Sequence, residues 1–150
     1  MKSKWSEFVV RQQQGMSGSC VREMIGFVSG LVGADLLYVT EVDGALVGEL
    51  PTEQFTPGGS FMQLCSTVKQ FDWADIYLMK GTEHISDFAR LQMSASYAEK
   101  IERTLATIRV VDTEYFYLYL RDDAARQCID RFNLLAPPST GNLTEFNYPI

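Results

Sequence analysis

The sole histidine, His84, is followed three residues later by Asp87, and this is the first place to look for acid–base chemistry. A catalytic triad would also need a serine or cysteine in a nucleophile turn, and the chain holds no G-x-S-x-G or comparable turn. His84 therefore reads as a surface or capping residue. Asp72 and Asp75 are spaced to share a metal or to divide acid and base roles, yet they flank Trp73, and acidic residues at a strand entrance keep a loop solvated. The segment Gly15 to Ser19 lacks the lysine of a phosphate-binding loop and follows no evident strand. Cys20, Cys65 and Cys128 are odd in number, far apart and without a C-x-x-C spacing. Each lies among apolar residues at helical spacing, which reads as a buried thiol in a reducing, cytoplasmic compartment. The expectation is a protein that is not an enzyme and uses no metal or cofactor.

The elements that must position these residues follow from patterning. With 150 residues, 46% hydrophobic and 21% charged, the chain suits one globular domain that needs no metal or disulfide staple. The longest apolar stretch, Met24 to Ala34, is far short of the roughly 20 residues of a membrane span, and the first residues carry no apolar run suited to a signal peptide. Val21, Met24, Ile25, Val28, Leu31 and Val32 recur at helical steps after a Ser19 cap and end at Gly33. Gly26 and Gly30, one turn apart, would let another element approach. Leu36 to Val42 and Ala45 to Leu50 read as a hairpin about Asp43-Gly44. A helix from Ser60, a strand over Asp75 to Met79 and a short helix between His84 and Leu91 come next. Ser96 and Glu99 form a capping box for a helix containing Tyr97, Ile101 and Leu105, with Glu99 and Arg103 spaced for an ion pair. Ile108 to Val111 and Tyr115 to Leu120 form a second hairpin, and Asp122 caps a last helix with Ala125, Cys128, Ile129 and Phe132 inward. The fold class expected is α+β, a mainly antiparallel sheet with helices packed on one face, and a loosely packed tail over residues 137–150.

Two features point to a partner. No basic residue occurs between Arg22 and Lys69, while Glu23, Asp35, Glu41, Asp43, Glu49 and Glu53 all fall there. With a net charge of −6, this disfavours direct nucleic-acid binding and suits either a solvated face or a docking surface for a basic partner. In the second hairpin Phe116, Leu118 and Leu120 point one way and Tyr115, Tyr117 and Tyr119 the other. That tyrosine stripe either covers the second face of the sheet or is a contact surface.

The run Phe71 to Met79, the run Ile108 to Leu120 and the short helix ending at Phe132 resemble bacterial immunity proteins of contact-dependent-inhibition and related polymorphic toxin systems. That class shares no single fold, so the resemblance implies a mechanism and no site residues. It implies stoichiometric binding to a cognate toxin domain, often a basic nuclease. On that reading Glu41, Asp43, Glu49 and Glu53 steer the partner and Tyr115, Tyr117 and Tyr119 anchor it. The alternatives are a small-ligand-binding or homodimerising sensory or adaptor domain, and an acidic phage-type inhibitor. The last is disfavoured by an acidic excess spread evenly along the chain.

Overall fold

The computed structural model describes residues 4–46, 53–81, 85–132, 134 and 136–149, and of residues 45, 46, 53–60, 85 and 86 the backbone alone. Its elements in chain order are β1 (Trp5–Arg11), α1 (Gly18–Val32), β2 (Leu36–Leu46), β3 (Glu53–Pro57), α2 (Gly58–Cys65), β4 (Val68–Met79), α3 (Ile85–Ser94), α4 (Tyr97–Glu102), β5 (Ala106–Val111), β6 (Tyr115–Arg121), α5 (Asp122–Ala125) and β7 (Ser139–Gly141). The strands form one antiparallel sheet in the order β3-β2-β4-β5-β6-β1-β7. The chain is thus α+β. No helix among the described residues is long and apolar enough to cross a membrane.

Period-two alternation splits the sheet into two chemically different faces. On the first, Phe8, Leu37, Ile76, Ile108, Phe116 and Leu118 meet Val21, Met24, Ile25 and Val28 of α1 and Phe61 and Cys65 of α2. Ser17, not Ser19, caps α1: its hydroxyl accepts from the Cys20 amide, and Gly33 closes the helix in the left-handed conformation at φ 72°. The second face carries tyrosines. Tyr38 and Tyr77 lie under Phe88 of α3, while Trp5 and Tyr119 lie under Ala98 and Ile101 of α4. Helices on one face describes α1 and α2; α3 and α4 occupy the other, because this face is aromatic and also needs cover.

The expected hairpin at Asp43-Gly44 is one continuous strand. β2 stays on β4 from Leu36 to Leu46, with register shifts between Thr40 and Asp43 and again at Gly44. The conformations a tight turn would use serve a bulge: Glu41 has φ 57°, and a side chain at Gly44 (φ 157°) would start 2.2 Å from the Gln70 carbonyl oxygen. β2 in fact turns back later, onto β3, which pairs with Leu36 to Thr40. The hairpin of β5 and β6 is as expected, with Asp112 and Thr113 at φ 52° and 62° in its turn.

Other boundaries move for local reasons. α4 ends at Glu102, leaving Leu105 outside it; Glu99 accepts from the Ser96 hydroxyl, and Arg103 is the C-cap. Arg121, not Asp122, is the N-cap of α5, whose regular part stops at Ala125, and Ile129 is half exposed. The close approach assigned to Gly26 and Gly30 occurs at Gly18, where a Cβ would meet the Cys65 and Val68 carbonyls. The tail is not loose. β7 pairs with β1, Asn142 and Glu145 form a reciprocal capping box, and Leu143, Phe146 and Tyr148 pack beside Trp5 and Tyr119.

Candidate functional site

The register of the second face lays out a row of polar residues across the sheet. Thr40 of β2 faces Asp75 of β4, Asp75 faces Arg109 of β5, and Arg109 faces Tyr117 of β6. Asp75 and Arg109 are nearly inaccessible charged residues in the middle of the sheet, so each requires a partner. They find one another: Arg109 Nε donates to Asp75 Oδ1 at 2.6 Å and Nη2 to Oδ2 at 3.3 Å. Arg109 Nη1 donates to the Pro149 carbonyl at 2.6 Å, tying the tail to the sheet. The guanidinium lies 3.6 Å from the Tyr97 ring centroid and 5.2 Å from that of Trp73.

Above this pair opens a cleft of about 470 Å³, walled by Trp73, Tyr97 and Tyr148, with Gln92 and Lys100 entering from the helices and Glu41 from the bulge. Burial pushes the Asp75 carboxyl up, and the charge and hydrogen bonds of Arg109 pull it part of the way back. Burial works against the Arg109 charge, but Tyr97 and Asp75 outweigh it and hold the guanidinium cationic. Asp75 is held by Arg109, Tyr97 and Trp73. It is the counterion of Arg109 and is not placed to move protons for a substrate.

The site residues expected from the sequence divide. Glu41 and Asp43 are exposed on the bulge, and only Glu41 reaches the cleft. Glu49 lies outside the described residues; Glu53 is on β3 opposite Thr40, and its side chain is not described. Tyr115, Tyr117 and Tyr119 do share a face, but Tyr119 is fully buried and cannot anchor a partner. Its hydroxyl donates to Glu7 at 2.8 Å, and its ring packs on Tyr97, Phe146 and Tyr148, because α4 and the tail cover that end of the sheet. Tyr117 is half buried against the same layer, and Tyr115 is half buried beside the Arg11–Glu114 ion pair.

Among the described residues, those weighed for catalysis do not converge. His84 lies outside the described residues, and Asp87 pairs with Arg90 at 3.7 Å on the surface. Asp72 accepts from Gln70 at 2.9 Å and does not line the cleft that Asp75 lines. Gly15 to Ser19 does follow a strand, β1, but it serves packing and capping, with Met16 buried. Cys65 and Cys128 are buried thiols, pushed up by that burial to about 12 and about 11.

Sequence reasoning missed Arg109, Gln92 and Glu7. Arg109 left a signal, a lone cation between Ile108 and Val110 in a strand. Glu7 belongs to β1, which was not recognised, and its carboxyl is raised by burial against the pull of the Tyr119 hydroxyl.

The tyrosine layer has a measurable pH signature. Burial raises the Tyr77 and Tyr119 hydroxyls far above their ordinary value of 10. Raised folded-state values mean that their contribution is present below the unfolded value and is lost as pH climbs past it. Burial raises the Tyr97 hydroxyl likewise, so the unfolding free energy should drop by about 4 kcal/mol per pH unit above roughly pH 10, about 1.4 for each of the three phenols. Phenolate absorbance should show these three tyrosines ionising only with unfolding; smooth titration of all seven tyrosines in the folded protein would contradict the burial.

Comparison with protein-family models, with curated proteins and with solved structures finds no match to this chain.

Proposed function

We propose that the protein acts by stoichiometric binding, as an immunity protein that neutralises a cognate toxin domain. The observation that supports this most is the bulge in β2. A non-glycine residue with φ 57° and a glycine pressed on the neighbouring backbone are a strained way to continue a strand, and such strain is a reason to look for a use. Here it displays Glu41 and Asp43 at the surface, in the stretch free of basic residues. Exposed acids set together on a rigid strand accelerate encounter with a basic protein and fix its orientation. With Tyr119 buried, the anchors on this reading are the half-buried aromatics of the cleft mouth, Trp73 and Tyr148, rather than the tyrosine stripe.

The test is titration against whatever toxin domain a neighbouring reading frame encodes. A one-to-one complex should form, its association rate should fall as salt rises, and Glu41→Lys with Asp43→Lys should slow association about tenfold or more while dissociation changes less. No complex with that toxin, or association indifferent to salt and to both reversals, would defeat the proposal.

A further inference from the structure

We propose that the cleft over Arg109 is a binding site for a small zwitterion, its carboxylate held by Arg109 and Gln92 and its ammonium by Glu41.

Three observations converge. The first is a set of donors without acceptors. Arg109 uses three of its five N–H groups, on Asp75 and the Pro149 carbonyl, which leaves one hydrogen on Nη1 and one on Nη2. Gln92 Nε2 is buried with no acceptor, the one such side-chain atom among the described residues. Both residues line the same cleft. A buried donor left unmade carries its full desolvation penalty, and a ligand carboxylate entering here would relieve it.

The second observation is rigidity. The guanidinium is clamped by Asp75 on one edge and stacked against Tyr97 and Trp73, so little ordering remains when a ligand docks.

The third is charge balance. Glu41 and Asp75 are matched by Lys100 and Arg109 around the lining. A bare anion would meet the repulsion of both carboxylates, and a bare cation that of both bases. A molecule with separated opposite charges fits the alternation. The volume is within the range of small-ligand pockets, and Trp73 and Tyr148 give an aromatic wall for an apolar side chain. Free amino acids have this chemistry. The site shares Glu41, Trp73 and Tyr148 with the proposed toxin interface, so the two occupants would compete, but neither binding event requires the other.

The probes are L-phenylalanine, phenylacetate, which lacks the ammonium, and phenethylamine, which lacks the carboxylate, followed by the other free amino acids. Each is titrated by calorimetry to about 10 mM, well above a millimolar dissociation constant. An amino acid should bind saturably, and its carboxylate-only and amine-only analogues at least roughly tenfold more weakly. Gln92→Leu removes a buried amide nitrogen that has no partner, so the variant should fold about as well as the parent while losing about tenfold in affinity. Glu41→Gln should bring the amino acid down to the affinity of its carboxylate-only analogue. The proposal is overturned if no amino acid binds, if either analogue binds as tightly, or if both variants retain the parental affinity. Such a failure leaves the toxin titration unaffected, and loss of toxin binding leaves the calorimetry unaffected.

Discussion

Replacing Arg109 by methionine should lower the unfolding free energy by about 3–5 kcal/mol at neutral pH, because it strands the Asp75 carboxylate in the sheet without its counterion. Burial would then act on Asp75 against the hydrogen bonds of Trp73 and Tyr97 alone, raising its carboxyl further. The penalty for a raised acid is largest above that raised value and shrinks as the group protonates. The deficit of Arg109→Met against the parent should therefore narrow as pH falls through the carboxylate range, as chemical denaturation at a series of pH values would show. The double replacement Asp75→Leu with Arg109→Met removes both charges and should recover most of the loss, ending within about 1 kcal/mol of the parent or above it. If the single and double variants were equally unstable, stacking of the Arg109 guanidinium on Tyr97 would be the main contribution instead of the ion pair.

That pair illustrates what a sequence can and cannot disclose. The alternation of Phe116, Leu118 and Leu120 against the three tyrosines and the helical spacing of Val21 to Val28 are local, and both survive in the structure. Asp75 and Arg109 are each locally conspicuous, but their pairing depends on the register between β4 and β5, which no local pattern encodes. Asp43-Gly44 fails for a related reason. A hairpin turn and a bulge ask the same freedom of the backbone, and what selects the bulge is the twelve-residue β4, long enough to hold both halves of β2. β7 is Ser-Thr-Gly, with no apolar residue to announce it. The turn-forming residues of the tail suggest looseness because they carry no trace of the aromatic layer on which it lies.

The second large effect is expected at Gly18. A Cβ there would sit 1.7 Å from the Cys65 carbonyl oxygen and 2.7 Å from that of Val68, both backbone atoms at the junction of α2 and β4. Gly18→Ala must push α1 off that junction and should cost at least about 3 kcal/mol, at the severe end for overpacking. Gly30→Ala is the control in the same helix. Nothing lies within 4 Å of its Cβ position, so the better helix propensity of alanine should stabilise the protein by about 0.5–1 kcal/mol. Thermal melts of the two variants should move in opposite directions.

The position of β1 has a consequence for how the molecule is made. Glu7 meets Tyr119, 112 residues downstream, and Ser6 meets Thr140, 134 residues downstream, so β1 leaves the ribosome long before either of its neighbours in the sheet. While β2 to β5 are being synthesised, Phe8 and Val10 have no sheet to join. The seven residues of β1 must be kept from wrong pairings until β6 has emerged. Such distant closure slows folding, and a refolding time of milliseconds to seconds is expected despite the helices. Moving β1 to the far end by circular permutation, after β7, would make its contacts sequence-local and should accelerate refolding without altering the sheet.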